Sequence, residues 1–229
     1  MGVPNVPFAP KVMSGALVQL IEDVVAFIPN VVTFQYNPEK ITRALTPYDP
    51  NLSSGLSNQA PDSQPFAPEE KISFTLNLMS NDEGIARVPG MAVTGVASRL
   101  AAMRKIVKPS TGLLGDLVGS AQALKKKTDG LIARTKVPIT FLIYGPGLVV
   151  PVRITSFSVD EVMHTSLLYP QAATVTLALT VVTPDQFKCT KVKFADLAIA
   201  AYNFTQLQED ALAVANIANG VEDVLGMII

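Results

Sequence analysis

The fold of this chain is decided at Phe34-Gln35-Tyr36-Asn37-Pro38-Glu39, where an alternating apolar run stops at an Asn-Pro pair. Proline has no N–H for a strand ladder, and it disfavours helix at the residue before it, so the strand must turn at Asn37. Upstream, a strand pattern runs from Ala16 to Ile21, and a second run from Val31 to Tyr36 follows a break at Pro29-Asn30. The pattern predicts a β-hairpin with a defined exit.

Further strand patterns lie on both sides of a central helical region. Apolar residues alternate with polar ones from Lys71 to Ser80, which predicts a strand with one buried face. The other predicted strands are 40–45, 137–144, 149–159, 162–168 and 173–183. The side chains expected to face inward from the last strands are Thr155, Phe157, Val159, Val175, Leu177, Leu179 and Val181.

Two segments have the period of an amphipathic helix. The first runs from Val93 to Ile106 and ends at Lys108-Pro109, and the second runs from Phe194 to Val224. The first buries Val96, Leu100, Met103 and Val107 at helical spacing. We therefore predict an α+β fold in one domain (1–229), a small β-sandwich or open barrel with packed helices. Its appendages are a polar loop or arm at 47–69, a helical insertion at 108–135 and a C-terminal helical extension at 194–229.

Composition limits the class of protein. The chain has 229 residues, 48% of them hydrophobic, and a mean hydropathy of +0.34, which suffices for a sizeable core. Charged residues are only 16%, against about 25% in ordinary soluble domains. This shortage predicts that part of the surface is buried against other subunits. Membrane insertion is not expected, because Gly145-Pro146-Gly147 interrupts one long apolar segment and polar residues interrupt the other, 162–183.

Several functions are disfavoured by the residues present. The net charge is −1, and the only basic cluster, Lys125-Lys126-Lys127, suits a solvated helix end better than nucleic acid. The single cysteine, Cys189, has no metal-ligand partners at suitable spacing and fits a reducing compartment. The N-terminus does not have a secretory pattern, so we expect a cytoplasmic protein.

Catalysis is also not expected from the sequence. The one histidine, His164, lies within a predicted strand, where a half-buried polar role is the usual one. Adjacent acidic pairs such as Asp160-Glu161 lie at predicted turns or strand ends, and neighbours on a strand point to opposite faces. The glycines at 112, 115 and 119 are not followed by the lysine and hydroxyl of a phosphate-binding loop. We expect no enzyme activity, no cofactor and no metal.

Three segments resemble the tube-type baseplate proteins of contractile injection systems and contractile phage tails. Phe34 to Pro38 match the family's signature at the end of an N-terminal hairpin. Phe141-Leu142-Ile143-Tyr144-Gly145 is similar to its strand ending in a glycine turn, and Leu168 to Leu177, with Tyr169-Pro170, to its proline-led strand. The chain departs from the family at Ala172, near which an arginine is usual, and no LysM module is recognisable in it.

The resemblance implies a structural protein that forms a hexameric ring. Such a ring joins the trimeric spike (hub) protein to the inner tube protein, contacts other baseplate subunits and nucleates tube assembly in a phage tail-like particle that is released from the cell or retained in it. The residues implied in assembly are Phe34, Gln35, Tyr36, Asn37, Pro38, Glu39, Tyr144, Gly145, Tyr169 and Pro170. Exposed strand edges would supply the template for ring formation. The N-terminal hairpin and the strands 149–159 and 162–168 are the candidates for stacking.

A second interpretation comes from the residues alone. The polar arm could cover a ligand site in a self-contained β-sandwich binding module. Modules of that kind usually present tryptophan, and this chain has none.

Overall fold

The computed structural model describes residues 13–22, 27–47, 67–80, 94–108, 137–187 and 193–228. In these ranges the chain forms seven strands and two α-helices, with one short 3₁₀ turn, Pro184–Phe187. The strands are β1 (Ala16–Glu22), β2 (Phe27–Thr33), β3 (Ile41–Thr46), β4 (Glu69–Met79), β5 (Thr140–Ile143), β6 (Val149–His164) and β7 (Pro170–Val181). The helices are α1 (Ala97–Val107) and α2 (Ala195–Ile228). The predicted α+β class is confirmed.

All seven strands belong to one sheet, in the order β2-β1-β5-β6-β7-β4-β3, and every pairing is antiparallel. Consecutive strands β2 and β3 therefore lie at opposite edges of the sheet. The Phe34 N–H bonds the Gly15 carbonyl directly before β1, and the side chain of the next residue, Gln35, bonds Met79 at the end of β4. β1 and β4 are four places apart in the sheet, which would be about 19 Å if the sheet were flat. The sheet therefore curves, and the connection 34–40 closes its open side.

The core fills the inside of this curve. Along β4 the exposed and buried side chains alternate without exception, so that Ile72, Phe74, Leu76 and Leu78 point inward as predicted. On β7 the inward residues are Val175, Leu177, Leu179 and Val181, also as predicted. α1 covers the same core with Leu100, Met103 and Ile106. Ile106, and not the predicted Val107, completes this buried face.

Two side-chain amides, one from β1 and one from β2, hold α1 against these strands. The amide of Gln19 donates to the Ile106 carbonyl at 3.0 Å, and the amide of Asn30 donates to the Ala102 carbonyl at 3.2 Å. The Ile106 carbonyl is among the last four of α1, which have no partner within the helix, so Gln19 acts as a side-chain cap. Asn30 bonds the Ala102 carbonyl one turn earlier and adds a second link, between α1 and β2.

The N-terminal hairpin differs from the prediction in the role of Pro29-Asn30 and in the bounds of its second strand, which is Phe27–Thr33 instead of 31–36. Pro29-Asn30 does not break the chain between two strands but lies inside β2, where Pro29 pairs with Leu20. β2 is an edge strand, and an edge tolerates proline because its outward side needs no N–H donor. β2 ends at Thr33, before the Asn-Pro pair.

The predicted strand 149–159 and the first residues of the predicted strand 162–168 form a single strand, β6, so the prediction of a turn at Asp160-Glu161 is wrong. β6 ends at His164, and residues 165–168 form the turn to β7 instead of a strand. Thr155 was also predicted to face inward, and it is exposed. The pairing with β7 shifts by one residue between Ile154 and Ser156, which is a β-bulge. A bulge adds one residue to one strand and changes which residues face the core. Ile154 and then Phe157 and Val159 therefore pack against the core.

α2 is long, and among its described side chains those that pack against the body lie in its first half. It has 34 residues, which is about 51 Å of helix. The Thr205 hydroxyl donates to the Val149 carbonyl at 2.8 Å and accepts the Val149 N–H at 3.1 Å, which fixes α2 to the start of β6. Every side chain from Ala211 to Ile217 is exposed. None of the helices described is both long and apolar enough to cross a membrane.

Parts of three predicted features lie outside the described residues. They are most of the polar arm at 47–69, the insertion at 108–135 with its three lysines, and Cys189.

Candidate assembly site

Gln35 continues the sheet with its side chain where the backbone cannot. The β3–β4 ladder begins at Ile41 opposite Phe74, and β4 runs on to Met79 without a strand partner on that side. The Gln35 amide donates to the Met79 carbonyl at 2.9 Å and accepts the Met79 N–H at 3.0 Å. A primary amide has the same donor and acceptor as a peptide unit, so Gln35 replaces one pair of ladder hydrogen bonds.

Asn37 likewise bonds the backbone with its side-chain amide, next to β1. Its Oδ1 accepts the N–H of Gly15 at 2.9 Å, and its Nδ2 donates to the carbonyl of Met13 at 2.9 Å. Gly15 lies directly before β1, and β1 and β4 are four places apart in the sheet. Gln35 and Asn37 are about 7 Å apart along an extended chain. Two neighbouring side chains thus tie together distant parts of the sheet.

Phe34 and Tyr144 meet over the backbone of Gly15. The Phe34 N–H donates to the Gly15 carbonyl at 2.7 Å, and the Phe34 ring lies 5.5 Å from the ring of Phe74. A Cβ at position 15 would lie 2.6 Å from Cδ2 of Phe34 and 2.8 Å from Cδ2 of Tyr144. Only glycine fits there without displacing an aromatic ring. The segments 34–38 and 141–145, predicted separately from the sequence, are therefore in contact.

Tyr144 and Gly145 also form the turn that leads from β5 to β6. The Tyr144 N–H donates to the Leu148 carbonyl at 2.8 Å, and Gly145 has a φ of +70°. The predicted glycine turn is confirmed.

Tyr169 and Pro170 lie at the other end of the β6–β7 hairpin. Pro170 is buried, and its carbonyl accepts the N–H of Val96 at the start of α1 at 3.0 Å. Two residues later, Ala172 pairs with Met79, the residue that Gln35 holds. The third predicted segment thus adjoins the same closure through β4.

The remaining residues of the first segment line a cleft on the outer face of the sheet. Pro38 is buried, whereas Tyr36 and Glu39 are exposed. The cleft has a volume of about 600 Å³. Its floor carries small uncharged side chains, Ser73, Thr75, Asn77 and Thr176, and the Thr75 and Thr176 hydroxyls lie 3.4 Å apart.

A second cluster was not found by sequence reasoning. Arg43 lies between two carboxylates, with Nε 2.6 Å from Glu70 Oε1 and Nη2 2.8 Å from Glu209 Oε1. Hydrogen bonding to Glu70 is the largest cause that raises the pKa of Arg43. Burial first, and then the charges of Glu70 and Glu209, raise the pKa of Tyr202 beside them. The three charges come from β3, β4 and α2, so no local spacing could have indicated the cluster.

These residues line a cleft of about 490 Å³. Arg43 is the one cation among them, and both of its carboxylate partners are already in contact with it. One cation against two carboxylates leaves one net negative charge, so the cleft has no free cation among the described residues to bind an anionic ligand.

The single histidine, His164, lies on the surface. His164 ends β6 and is exposed rather than half-buried, with its Nε2 4.0 Å from Glu161 Oε2. In the part of the chain that the structure describes, no three His, Cys, Asp or Glu residues are close enough to hold a metal ion. No protein-family model matches the chain, and no curated protein shows significant similarity to it.

Proposed function

We propose that this chain is a structural subunit of the baseplate of a contractile injection system or phage tail. Copies form a hexameric ring that joins the trimeric spike to the inner tube and nucleates tube assembly. The proposal starts from the resemblance of the three segments, and it is supported by where those segments lie. All three adjoin the closure of one curved sheet.

The observation that carries the proposal is the apolar end of the β6–β7 hairpin. Leu167 and Leu168 are 65% and 79% exposed, and Val162 and Met163 beside them are also exposed. Met163 and Leu168 have φ values of 55° and 62°. Apolar side chains on a strained turn, with no core beneath them, are typical of a contact surface that is covered by a partner.

Two further features support a ring of subunits. The sheet ends at β2 and β3, whose outer backbone groups can pair with a neighbouring copy. The outer face of β4 and β7 carries hydroxyl and amide side chains, among them Thr75, Asn77, Thr174 and Thr176. A polar face that is almost free of charge suits the wall of a channel through which other molecules pass.

The alternative, a ligand-binding module, has less support. Its best site would be the Arg43 cleft, whose single cation is already paired with two carboxylates. No contact in the cleft favours a particular ligand.

The test is to image the purified protein by negative-stain electron microscopy, with mass photometry, alone and mixed with its spike protein. We expect six-fold rings, either free or formed on the spike. Leu168→Asn, which suits the left-handed backbone of that turn, should keep the fold and reduce ring stacking. Val137→Ser, an exposed apolar position before β5, serves as the matched control and should assemble normally.

A stable monomer that ignores the spike would overturn the proposal and direct attention to the ligand-binding alternative. Normal stacking by Leu168→Asn together with Leu167→Asn would exclude the hairpin end as the contact, even if rings form.

A further inference from the structure

One face of α2 carries an apolar residue at every a and d position of a heptad repeat. With Leu197 as position a, alternating steps of three and four residues reach an apolar residue each time, through to Ile228. The complete stripe is Leu197, Ala200, Phe204, Leu207, Ala211, Val214, Ala218, Val221, Leu225 and Ile228. No charged or amide residue interrupts it.

The protein's own core does not use the part of this stripe whose side chains the structure describes, Leu197 to Val214. Leu207 and Val214 are 67% and 66% exposed, and Leu197 and Phe204 are exposed as well. The contact of α2 with the body is made by another face, through the buried residues Ala198 and Thr205. Folding of the single chain therefore leaves the stripe uncovered over all of its members up to Val214.

The period of the stripe indicates what covers it. A repeat of seven residues drifts by about 20° per heptad around a straight helix. Such a repeat forms one continuous contact only if two helices wind around each other, with a and d residues packed between them. A helix that lies on a sheet follows the period of 3.6 instead. The occupant is therefore a helix.

We infer that this helix is α2 of a second copy of the chain, in antiparallel orientation. The sequence of the stripe is self-complementary in that direction. Small residues then face larger ones in four layers, Ala200 with Leu225, Phe204 with Val221, Leu207 with Ala218, and Ala211 with Val214, and the fifth layer pairs Leu197 with Ile228. A parallel pair would instead place Ala211 on Ala211 and Phe204 on Phe204, which alternates gaps with bulk and packs less evenly.

The flanking charges are compatible with this pairing. Antiparallel helices bring g positions opposite g positions and e opposite e. Asp210 then faces Ile217, and Glu222 faces Ala201, so no two carboxylates are paired. The contact is isologous, because each residue meets its complement in both directions. It differs from the head-to-tail contact between neighbours in a ring and does not depend on the proposed function.

Cysteine cross-linking distinguishes the possible arrangements. In a Cys189→Ser background, Ala200→Cys and Leu225→Cys are prepared separately, and each is oxidised alone and after mixing with the other. The antiparallel pair predicts a disulfide-linked dimer in the mixture and little in either variant alone. Peptide mass spectrometry should identify the link between positions 200 and 225. Ala213→Cys, at the outer position c, mixed with Leu225→Cys is the matched control and should not cross-link.

A second measurement tests the stripe without new thiols. Sedimentation should give an assembly whose mass is halved by Leu207→Glu together with Val214→Glu, from dimer to monomer or from paired rings to single rings, while far-UV circular dichroism stays unchanged. The residues 195–228 carry five carboxylates, Asp196, Glu209, Asp210, Glu222 and Asp223, and no cation. Self-association should therefore strengthen as salt screens this repulsion, whereas association with a basic partner would weaken.

Cross-links formed by each variant with itself would show a parallel pair and overturn the proposal. The absence of any cross-link in the mixture, or a mass unaffected by the glutamate substitutions, would overturn it as well.

Discussion

At the residue scale, the side-chain amides of Gln35 and Asn37 make hydrogen bonds that a further strand would otherwise make. Pro38 cannot donate to a ladder, so the backbone between Phe34 and Lys40 leaves the sheet. Gln35 and Asn37 restore four hydrogen bonds to the backbone of Met79, Gly15 and Met13. The Asn-Pro pair therefore has a structural role that is independent of any partner.

We expect Asn37→Ala to be the more costly of the two amide truncations. It leaves the partly buried N–H of Gly15 without its acceptor, which costs about 1 to 3 kcal/mol of unfolding free energy. Gln35→Ala removes exposed hydrogen bonds that water can replace, at about 0.5 kcal/mol. Urea unfolding of both variants measures the difference.

If Asn37→Ala and Gln35→Ala are equally stable, the closure does not depend on Asn37. We also expect Asn37→Ala and Pro38→Ala to impair particle assembly, and normal particles from both would contradict that expectation.

We expect the two carboxylate partners of Arg43, Glu70 and Glu209, to contribute unequally to the stability of the fold. The side chain of Glu70 is 8% exposed and that of Glu209 is 42% exposed. Arg43→Met leaves the Glu70 charge buried and unpaired, and because Arg43 itself is partly exposed we expect a loss of about 2 kcal/mol. Glu209→Gln should cost about 0.5 kcal/mol or less, as solvent-exposed pairs do.

Thermal or urea unfolding tests this, with Arg43→Met/Glu70→Gln as the control that removes both charges. The double variant should recover part of the loss. A double variant less stable than Arg43→Met would show that Glu70 is not destabilised by losing its partner.

At the scale of elements, the β6–β7 hairpin combines a long pairing with a strained end. The bulge between Ile154 and Ser156 changes which residues of β6 face inward, so β6 contributes side chains to the core both before and after the bulge. At the far end, Leu168 occupies the left-handed region although it is not glycine, and its N–H donates to the Thr165 carbonyl at 2.9 Å. Its side chain contributes little to the core.

Leu168→Asn should therefore stabilise the isolated chain by about 0.5 to 1 kcal/mol, because asparagine tolerates positive φ better than leucine does. Leu167→Asn, next to it, has no positive φ to relieve and should be neutral. Chemical unfolding of both variants gives the comparison. A loss of stability in Leu168→Asn would mean that the leucine side chain packs against something.

At the scale of the whole molecule, polar contacts fix α1 and α2 to different strands of the sheet. α1 is held to β1 and β2 by amide side chains and to the β6–β7 hairpin by Arg104, which bonds Glu161 at 2.8 Å. α2 is held by Thr205 and by Glu209 at the Arg43 cluster. Tyr202 lies on α2 at that cluster and reports on its docking.

Alkaline pH should weaken this docking. Burial, together with Glu70 and Glu209, raises the pKa of Tyr202 above its ordinary 10.0. The folded chain then keeps the phenol proton at a pH where the unfolded chain loses it, so this stability is complete below pH 10 and is lost as pH rises through the folded value. Unfolding free energy measured from pH 8 to 11 should fall less in Tyr202→Phe than in the wild type.

Tyr169→Phe, which changes an exposed tyrosine, is the control and should keep the wild-type decline. Equal declines in Tyr202→Phe and the wild type would show that Tyr202 does not contribute to it.

The sequence by itself determined the elements whose signal is local. Alternation located β4 and β7 with their inward residues, and helical spacing located α1 and α2. The Asn-Pro pair indicated that the first hairpin ends before residue 37, although β2 ends earlier, at Thr33. These features depend on neighbours within one strand or a few turns of helix, so the residues carry the information directly.

Only the tertiary structure decided the rest. The sequence pattern predicts a strand break at Pro29, but the edge strand β2 tolerates this proline. The pattern also predicts that Thr155 faces inward, but a bulge turns its side chain outward. The contacts of Asn37 with Gly15 and of Arg43 with Glu70 and Glu209 join residues far apart in the chain. Their geometry follows from the order and curvature of the strands, which no local pattern encodes.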